Sequence, residues 1–321
     1  MKRTTFLAAS GATAVLAAVP GRARASADLT LTTPTGNLAG TLEVPPGAGV
    51  VPAVLIIAGS GPTDRDGNTA GLPGKSDAYK LLALGLAARG IASLRYDKRS
   101  IGASAAAGHS ESELRFDMLV DDAVAWIAHL RADKRFSRVV VAGHSEGSLI
   151  GMLAVARGGG DGFISLEGVG HPAAVLLRQQ LAKLADTKPE LAAQVNHALD
   201  ELSAGRTVSD VDAQLASLFR PGIQPYLISW FKYDPAVEIA RLRAPAAIVQ
   251  GTADIQTRVG EGEALHAALP AARYVVIEGM NHVLKHAPDT SPEALMKGYT
   301  DPTLPVEPAV IDAVAAIAKS A

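Results

Sequence analysis

Short apolar runs recur along the chain at residues 51–58, 91–96, 139–142, 162–166, 246–250 and 274–277, each flanked by more polar segments. Each is strand length and largely apolar at successive positions, the pattern of a strand buried on both faces of a parallel sheet. Residues 77–89, 111–131, 148–157, 258–268 and 307–319 instead place apolar side chains at helical spacing and separate most of those runs. Strands alternating with helices predict an α/β fold, a mostly parallel central sheet with helices on both faces. Ahead of this, residues 29–33 and 38–44 alternate around Pro34-Thr35-Gly36-Asn37, which predicts an antiparallel hairpin at a sheet edge.

The alternation stops between Gly170 and Pro245. Residues 173–186, 189–203 and 208–219 have helical spacing, and Pro221, Pro225 and Pro235 break the remainder into short pieces. Residues 171–245 are therefore expected to form a helical cap inserted in the sheet domain. Five of the 14 aromatic residues (Phe219, Tyr226, Trp230, Phe231 and Tyr233) fall in this stretch, so the cap is a candidate wall for a pocket.

The run at 139–142 leads into Gly143-His144-Ser145-Glu146-Gly147, followed by a helical pattern and Gly158-Gly159-Gly160. A G-x-S-x-G pentapeptide between strand and helix holds a serine hydroxyl out on a tight turn, with glycines where Cβ atoms would clash. The chain supplies a control in Gly108-His109-Ser110-Glu111-Ser112, which lacks the closing glycine and a preceding strand. There Ser110 is expected to cap a helix reciprocally with Glu113.

A serine hydroxyl is a weak nucleophile at neutral pH and needs a base, which in turn needs a carboxylate to fix its tautomer. Of eight histidines, His282 in Gly279-Met280-Asn281-His282 follows the strand pattern 274–277, at the strand end where sheet enzymes build their sites. His286 lies farther into the next segment, and His144 is expected to pack or hydrogen-bond rather than titrate. His171, at the entrance to the cap, is a second candidate pocket residue. For the carboxylate, Asp254 in Gln250-Gly251-Thr252-Ala253-Asp254 gives the chain order Ser145, Asp254, His282. Glu167, one strand earlier, is the alternative. The oxyanion of a tetrahedral intermediate needs two donors, expected to be the amides of Glu146 and Ser60, with Gly61 the neighbouring candidate. The glycines of Gly59-Ser60-Gly61-Pro62-Thr63-Asp64 do not fit a phosphate loop, because the third glycine of G-x-G-x-x-G is missing and Pro62 lacks an amide donor.

These residues together resemble the α/β-hydrolase superfamily over the whole chain after residue 29. More narrowly, Gly59-Ser60-Gly61-Pro62-Thr63-Asp64-Arg65-Asp66-Gly67-Asn68, Tyr96-Asp97-Lys98-Arg99-Ser100-Ile101-Gly102 and the serine pentapeptide resemble its bacterial serine aminopeptidase-like and carboxylesterase-like branches. The resemblance implies serine hydrolase chemistry with no metal or organic cofactor. Two departures stand out. Many relatives have glycine at Ser100, and the lipase His-Gly signature is replaced by Ala58-Gly59, against a true lipase. Asp97-Lys98-Arg99 is expected to form ion pairs that anchor its loop, with a pocket-facing role as the alternative.

The expected activity is cleavage of a small-molecule carboxylic ester through an acyl-enzyme on Ser145. Amide cleavage by the same triad is the alternative, and it would call for an acidic group, such as Glu167 or Asp234, to hold a free amino terminus. A non-catalytic binding protein on this fold would be expected to lack a triad member, and none is missing.

Composition narrows the setting. Residues 1–25 begin Lys2-Arg3, continue with an apolar stretch over 6–19 and end Ala23-Arg24-Ala25, the make-up of a secretory signal. Lys2-Arg3-Thr4-Thr5-Phe6-Leu7 resembles a twin-arginine signal with lysine in the first place. The expectation is an exported protein, periplasmic or secreted, with residues 26–321 as the mature domain and no stable membrane insertion. Without the leader, 26 basic residues face 32 acidic ones, a net of −6 that invites no nucleic acid partner. The chain has no cysteine, which excludes disulfides, thiol catalysis and thiolate metal sites.

Overall fold

The computed structural model describes residues 25–108 and 110–320. The leader expected over residues 1–25 thus lies outside the described residues, save Ala25, which opens the first strand. β1 (Ala25–Thr33) and β2 (Gly36–Val44) pair antiparallel, with Leu31 opposite Leu38 and Thr33 opposite Gly36. Both strands outrun the alternating pattern and leave only Pro34 and Thr35 as the turn, because backbone pairing continues through small and polar residues that carry no apolar signal.

β3 (Val51–Ile57), β4 (Ala92–Tyr96), β5 (Phe136–His144), β6 (Gly162–Leu166), β7 (Ala246–Gly251) and β8 (Arg273–Ile277) complete one sheet. Its order is β1-β2-β4-β3-β5-β6-β7-β8, antiparallel at the β1–β2 and β2–β4 pairs and parallel beyond. The carboxyl ends of β3, β5, β6, β7 and β8 therefore share one edge, where the loops carrying Ser60, Ser145, Glu167, Asp254 and His282 emerge.

α1 (Ala78–Ala88), α2 (Phe116–Ala132) and α3 (Glu146–Gly158) connect the early strands. The helix expected over 111–131 begins five residues later. Glu113 does accept from the Ser110 amide (3.0 Å) and hydroxyl (2.7 Å), but these bonds close only a 3-10 turn over Glu111–Glu113. The first amide of α2, on Phe116, instead donates to Ser229 Oγ at 2.7 Å, so a residue of the insertion caps this helix.

Between β6 and β7 the chain forms the expected helical cap. It comprises α4 (Ala173–Gln180), α5 (Leu184–Thr187), α6 (Pro189–Ser203), α7 (Ala216–Phe219), α8 (Gln224–Phe231) and α9 (Pro235–Ala240). The helix expected over 208–219 forms only near its end. Gln224 takes both backbone groups of Val208 (N–H to Oε1 2.8 Å, Nε2 to carbonyl 2.9 Å), which holds that segment out of a helix. Pro225 and Pro235 open helices rather than merely ending them, since the first turn needs no amide donor from them. α10 (Val259–Ala268), α11 (Pro292–Thr300) and α12 (Pro308–Ser320) follow. α11 was not expected from the pattern, although Ser291 caps it by accepting from the Ala294 amide and Pro292 stands at its start.

Side chains along the central strands divide between two apolar clusters. Ala53, Leu55 and Ile57 of β3 and Val139 and Val141 of β5 join the cluster that holds Trp126, Leu153 and Leu265 of α2, α3 and α10. Val54, Ile56, Val140 and Ala142 join the other, with Leu82 and Leu86 of α1 and Val310 and Val314 of α12. Period-two alternation inside continuous apolar runs is what a sheet covered by helices on both faces requires. Among the described residues no helix is long and apolar enough to cross a membrane.

Candidate active site

Ser145 joins β5 to α3 at φ 53° and ψ −122°, a backbone conformation that residues with side chains rarely adopt. The flanking glycines make this turn possible by close approach. A Cβ at Gly143 would lie 2.1 Å from the Gly147 carbonyl oxygen, and one at Gly147 would lie 2.5 Å from that of Ile57. α3 starts immediately afterwards at Glu146, so the Glu146 amide lies in a first turn, whose N–H groups have no intrahelical acceptor.

His282, in the loop after β8, and Ser145 line one cavity of about 190 Å³ together with Gly59, Ser60, Tyr79 and Tyr299. On its other side His282 Nδ1 is 2.6 Å from Asp254 Oδ2, and both residues are buried. Asp254 is itself held: Oδ1 accepts from the Gln256 and Thr257 amides at 2.7 and 3.0 Å, and Oδ2 from the Thr257 hydroxyl at 2.7 Å. Burial works against the Asp254 charge, but His282 and the donors around the carboxylate outweigh it and bring its pKa down to about 2. Glu167 is fully buried behind this pair. Burial and the Asp254 charge push its pKa well above the usual carboxylate value, opposite in direction to that of Asp254.

The loop after β3 is fixed from below. Lys98, which follows β4, donates from Nζ to the Gly59 carbonyl at 2.5 Å and to Glu146 Oε2 at 3.0 Å. Tyr226 of cap helix α8 donates its hydroxyl to the other Glu146 oxygen, and all three side chains are buried. The Gly59 carbonyl and the Ser60 N–H belong to one planar trans peptide and point in opposite directions, so holding the carbonyl aims the amide. Asp97 accepts from the Arg65 amide at 2.7 Å, and Arg95 pairs with Asp66 at 2.7 Å, tying the Gly59–Asn68 motif to the end of β4. Arg99 pairs with Asp122 on α2.

His144 links the loop to the histidine. Its Nε2 lies 2.6 Å from the His282 carbonyl, which can only accept, so Nε2 carries the proton and Nδ1 accepts from the Tyr79 hydroxyl at 2.8 Å. Tyr79 oxygen in turn accepts from the Gly59 amide at 3.3 Å. Burial, with the nearby His282 as the next cause, pushes the His144 pKa down to about 3, so its ring is neutral.

The family model described as serine aminopeptidase, S33, matches residues 69–220 of this chain. Esterase EstD of Thermotoga maritima is 27% identical over 270 residues, 83% of this chain and 63% of that relative. The chain thus spans less than two thirds of the length of the curated relative it matches. Among solved structures, Est1E from Butyrivibrio proteoclasticus with ferulic acid bound superposes with a TM-score of 0.56 at 18% identity, covering 79% of this chain and 91% of that one. The alpha/beta hydrolase GrgF from Penicillium sp. sh18 gives 0.54 at 18% identity, covering 80% and 91%. The chain has the α/β-hydrolase fold.

In this fold Ser145, His282, Asp254, Ser60 and Glu146 meet at one edge of the sheet, whereas the other candidates fall elsewhere. Asp254 rather than Glu167 is the partner of His282 Nδ1. His171 does not line the cavity of Ser145. Its ring and amide instead bind Glu261 of α10, which anchors the start of the cap. His286 pairs with Glu307 and is exposed. The expectation that cap aromatics wall the serine pocket needs correction, because that cavity is lined by the loop after β3, α1, the Asp254 and His282 loops and α11. Phe219, Tyr226 and Trp230 line a separate cavity of about 580 Å³ that shares Ser60 and reaches Glu146 and Lys98. The Asp97-Lys98-Arg99 run does both things considered for it, since Asp97 and Arg99 anchor the loop and Lys98 faces this second cavity. Ser100 keeps φ 69°, which supplies a backbone reason why glycine suits the position. Tyr79, Thr257 and Tyr299 gave no signal in the sequence, because only the fold brings them to the site. Among the described residues, no group of three His, Asp or Glu side chains is arranged to hold a metal ion.

Proposed function

We propose that this α/β-hydrolase cleaves carboxylic esters through an acyl-enzyme on Ser145. The observation that carries the proposal is the 2.6 Å bond from His282 Nδ1 to Asp254, with His282 and Ser145 in the same cavity. Asp254 as acceptor at Nδ1 leaves the Nε2 lone pair free to take the serine proton. Ser145 Oγ then attacks the ester carbonyl, and the developing oxyanion is received by the amides of Ser60 and Glu146. Collapse breaks the bond to the alcohol oxygen, which leaves with the proton from His282. Water, deprotonated by His282, attacks the acyl-enzyme; Ser145 Oγ departs, recovers the proton and releases the acid.

Ester cleavage is favoured over aminopeptidase action by the charges at hand. The lining of the serine cavity contains no Asp or Glu. In the neighbouring cavity Glu146 is the acidic residue, and Lys98 and Tyr226 already occupy its oxygens. Asp234 caps α9 and accepts from the Ala236 amide. A free α-ammonium group thus finds no available carboxylate in either lining.

Ser145→Ala should lower kcat on p-nitrophenyl butyrate at least about 10⁴-fold and abolish labelling by a fluorophosphonate. Turnover at the parent rate removes Ser145 from the mechanism, and a parent that cleaves aminoacyl amides but no ester replaces the ester reading with the amide one. Export is likewise proposed, on Lys2-Arg3, the apolar stretch 6–19 and Ala23-Arg24-Ala25. It is checked by fractionation and by the amino-terminal residue of the processed protein.

A further inference from the structure

An apolar cavity of about 360 Å³ adjoins the serine cavity on the His282 side, sharing Leu72, Gln256, His282 and Tyr299 with it. Its far wall is α11 and the turn after Asp254, with Ile255, Pro292, Leu295 and Met296. Its lining contains no Asp, Glu, Lys or Arg. Two of the large hydrophobic side chains that this molecule leaves exposed, Ile255 at 53% and Met296 at 45%, stand on its rim. Apolar side chains concentrated at the mouth of a concave apolar site mark a place where an apolar group binds.

The proton economy of the reaction decides which part of an ester belongs there. His282 must return the serine proton to the oxygen that leaves, so the alcohol oxygen has to sit within reach of His282 Nε2 during collapse. The carbonyl oxygen faces the Ser60 and Glu146 amides, and Ser60 lies where the serine cavity meets the cavity under the cap, away from the one shared with His282. The substituent on the leaving oxygen therefore projects past the imidazole, toward Gln256, Tyr299 and α11, and the acyl chain projects on the Ser60 side. Resting on the ester reading above, we propose that the cavity walled by Ile255, Leu295 and Met296 binds the alcohol portion of the substrate, and that this portion is uncharged and apolar. The reaction then releases an apolar alcohol or phenol from α11, a segment outside the cap.

The test varies one side of the ester at a time. Butyrate esters of methanol, butanol, hexanol and octanol probe the alcohol side, and methyl esters of acetic, butyric, hexanoic and octanoic acid probe the acyl side, by pH-stat. Burying a methylene contributes up to about fourfold in kcat/KM, so the parent should gain at least about tenfold from methyl to hexyl butyrate. Met296→Asp and Ile255→Ser alter exposed rim positions and should preserve the fold. Each should reduce that gain at least about threefold while the dependence on acyl length keeps its parent slope. Flattening of the acyl series instead, or no change in either series, overturns the assignment of the cavity. Fluorophosphonate labelling of Ser145 without turnover of any ester overturns the ester reading, and the alcohol assignment with it.

Discussion

Removing the ammonium group under the β3 loop separates stability from oxyanion geometry. Lys98 and Glu146 form a buried pair at 3.0 Å, with relative exposures of 5% and 2%, and Lys98 also holds the Gly59 carbonyl at 2.5 Å. Lys98→Met keeps the length of the side chain but removes both donors. The Glu146 charge is then left in the interior with Tyr226 as its remaining donor, and an unpaired buried charge costs about 3–5 kcal/mol. At about 2 °C per kcal/mol for a chain of this size, Tm should fall by about 6–10 °C. The freed Gly59–Ser60 peptide loses its fixed orientation, and loss of one oxyanion donor costs about 10²–10³ in kcat. Adding Glu146→Gln removes the stranded charge, so Lys98→Met/Glu146→Gln should recover most of the Tm. Its kcat on p-nitrophenyl butyrate should stay at least about 30-fold below the parent, with KM changed less than about threefold, because the Gly59 carbonyl still lacks its donor. Differential scanning calorimetry and initial rates provide both quantities. A double variant with parental kcat refutes the role of Lys98 in aiming the Ser60 amide.

Three further substitutions have defined outcomes. Asp254→Asn should lower kcat about 10³–10⁴-fold, since the amide no longer fixes the tautomer of His282. The folded pKa of Asp254, about 2, lies below its unfolded value, so its ionisation contributes stability above pH 4 that is lost as pH falls from about 4 to about 2. Denaturation of Asp254→Asn across that window should show a shallower acid limb than the parent. His144 is also depressed, to about 3, because its buried ring stays neutral while the unfolded histidine takes up a proton near pH 6.5. The parent should lose up to about 1.4 kcal/mol per pH unit below that point on account of this group, and urea titrations of His144→Gln should lack that component. Ser100→Gly, which relieves a side chain held at φ 69°, should raise stability by about 0.5–1 kcal/mol in the same titration.

Much of this molecule is written locally in its residues. Continuous apolar runs such as Val139 to Ala142 specify strands buried on both faces, and they lie where β5 and its neighbours form. Gly143 and Gly147 declare the turn around Ser145 because no other residue fits backbone approaches of 2.1 and 2.5 Å. Asp254 and His282 could be picked out because each directly follows a strand pattern, and parallel strands deliver their ends to a common edge. What the sequence left open depended on contacts between distant segments. The start of α2 moved because Ser229 of the cap accepts from its first amide. The segment around Val208 stayed out of a helix because Gln224 occupies its backbone groups. Which wall of the site belongs to the cap and which to α11 depended likewise on how those helices pack, as did the links from Lys98 to Gly59 and from Tyr79 through His144 to His282. Periodicity and turn chemistry are properties of neighbours in the chain and can be read from it. A hydrogen bond between residues 65 or 138 positions apart exists only after the sheet has brought them together, so the tertiary structure alone decided it.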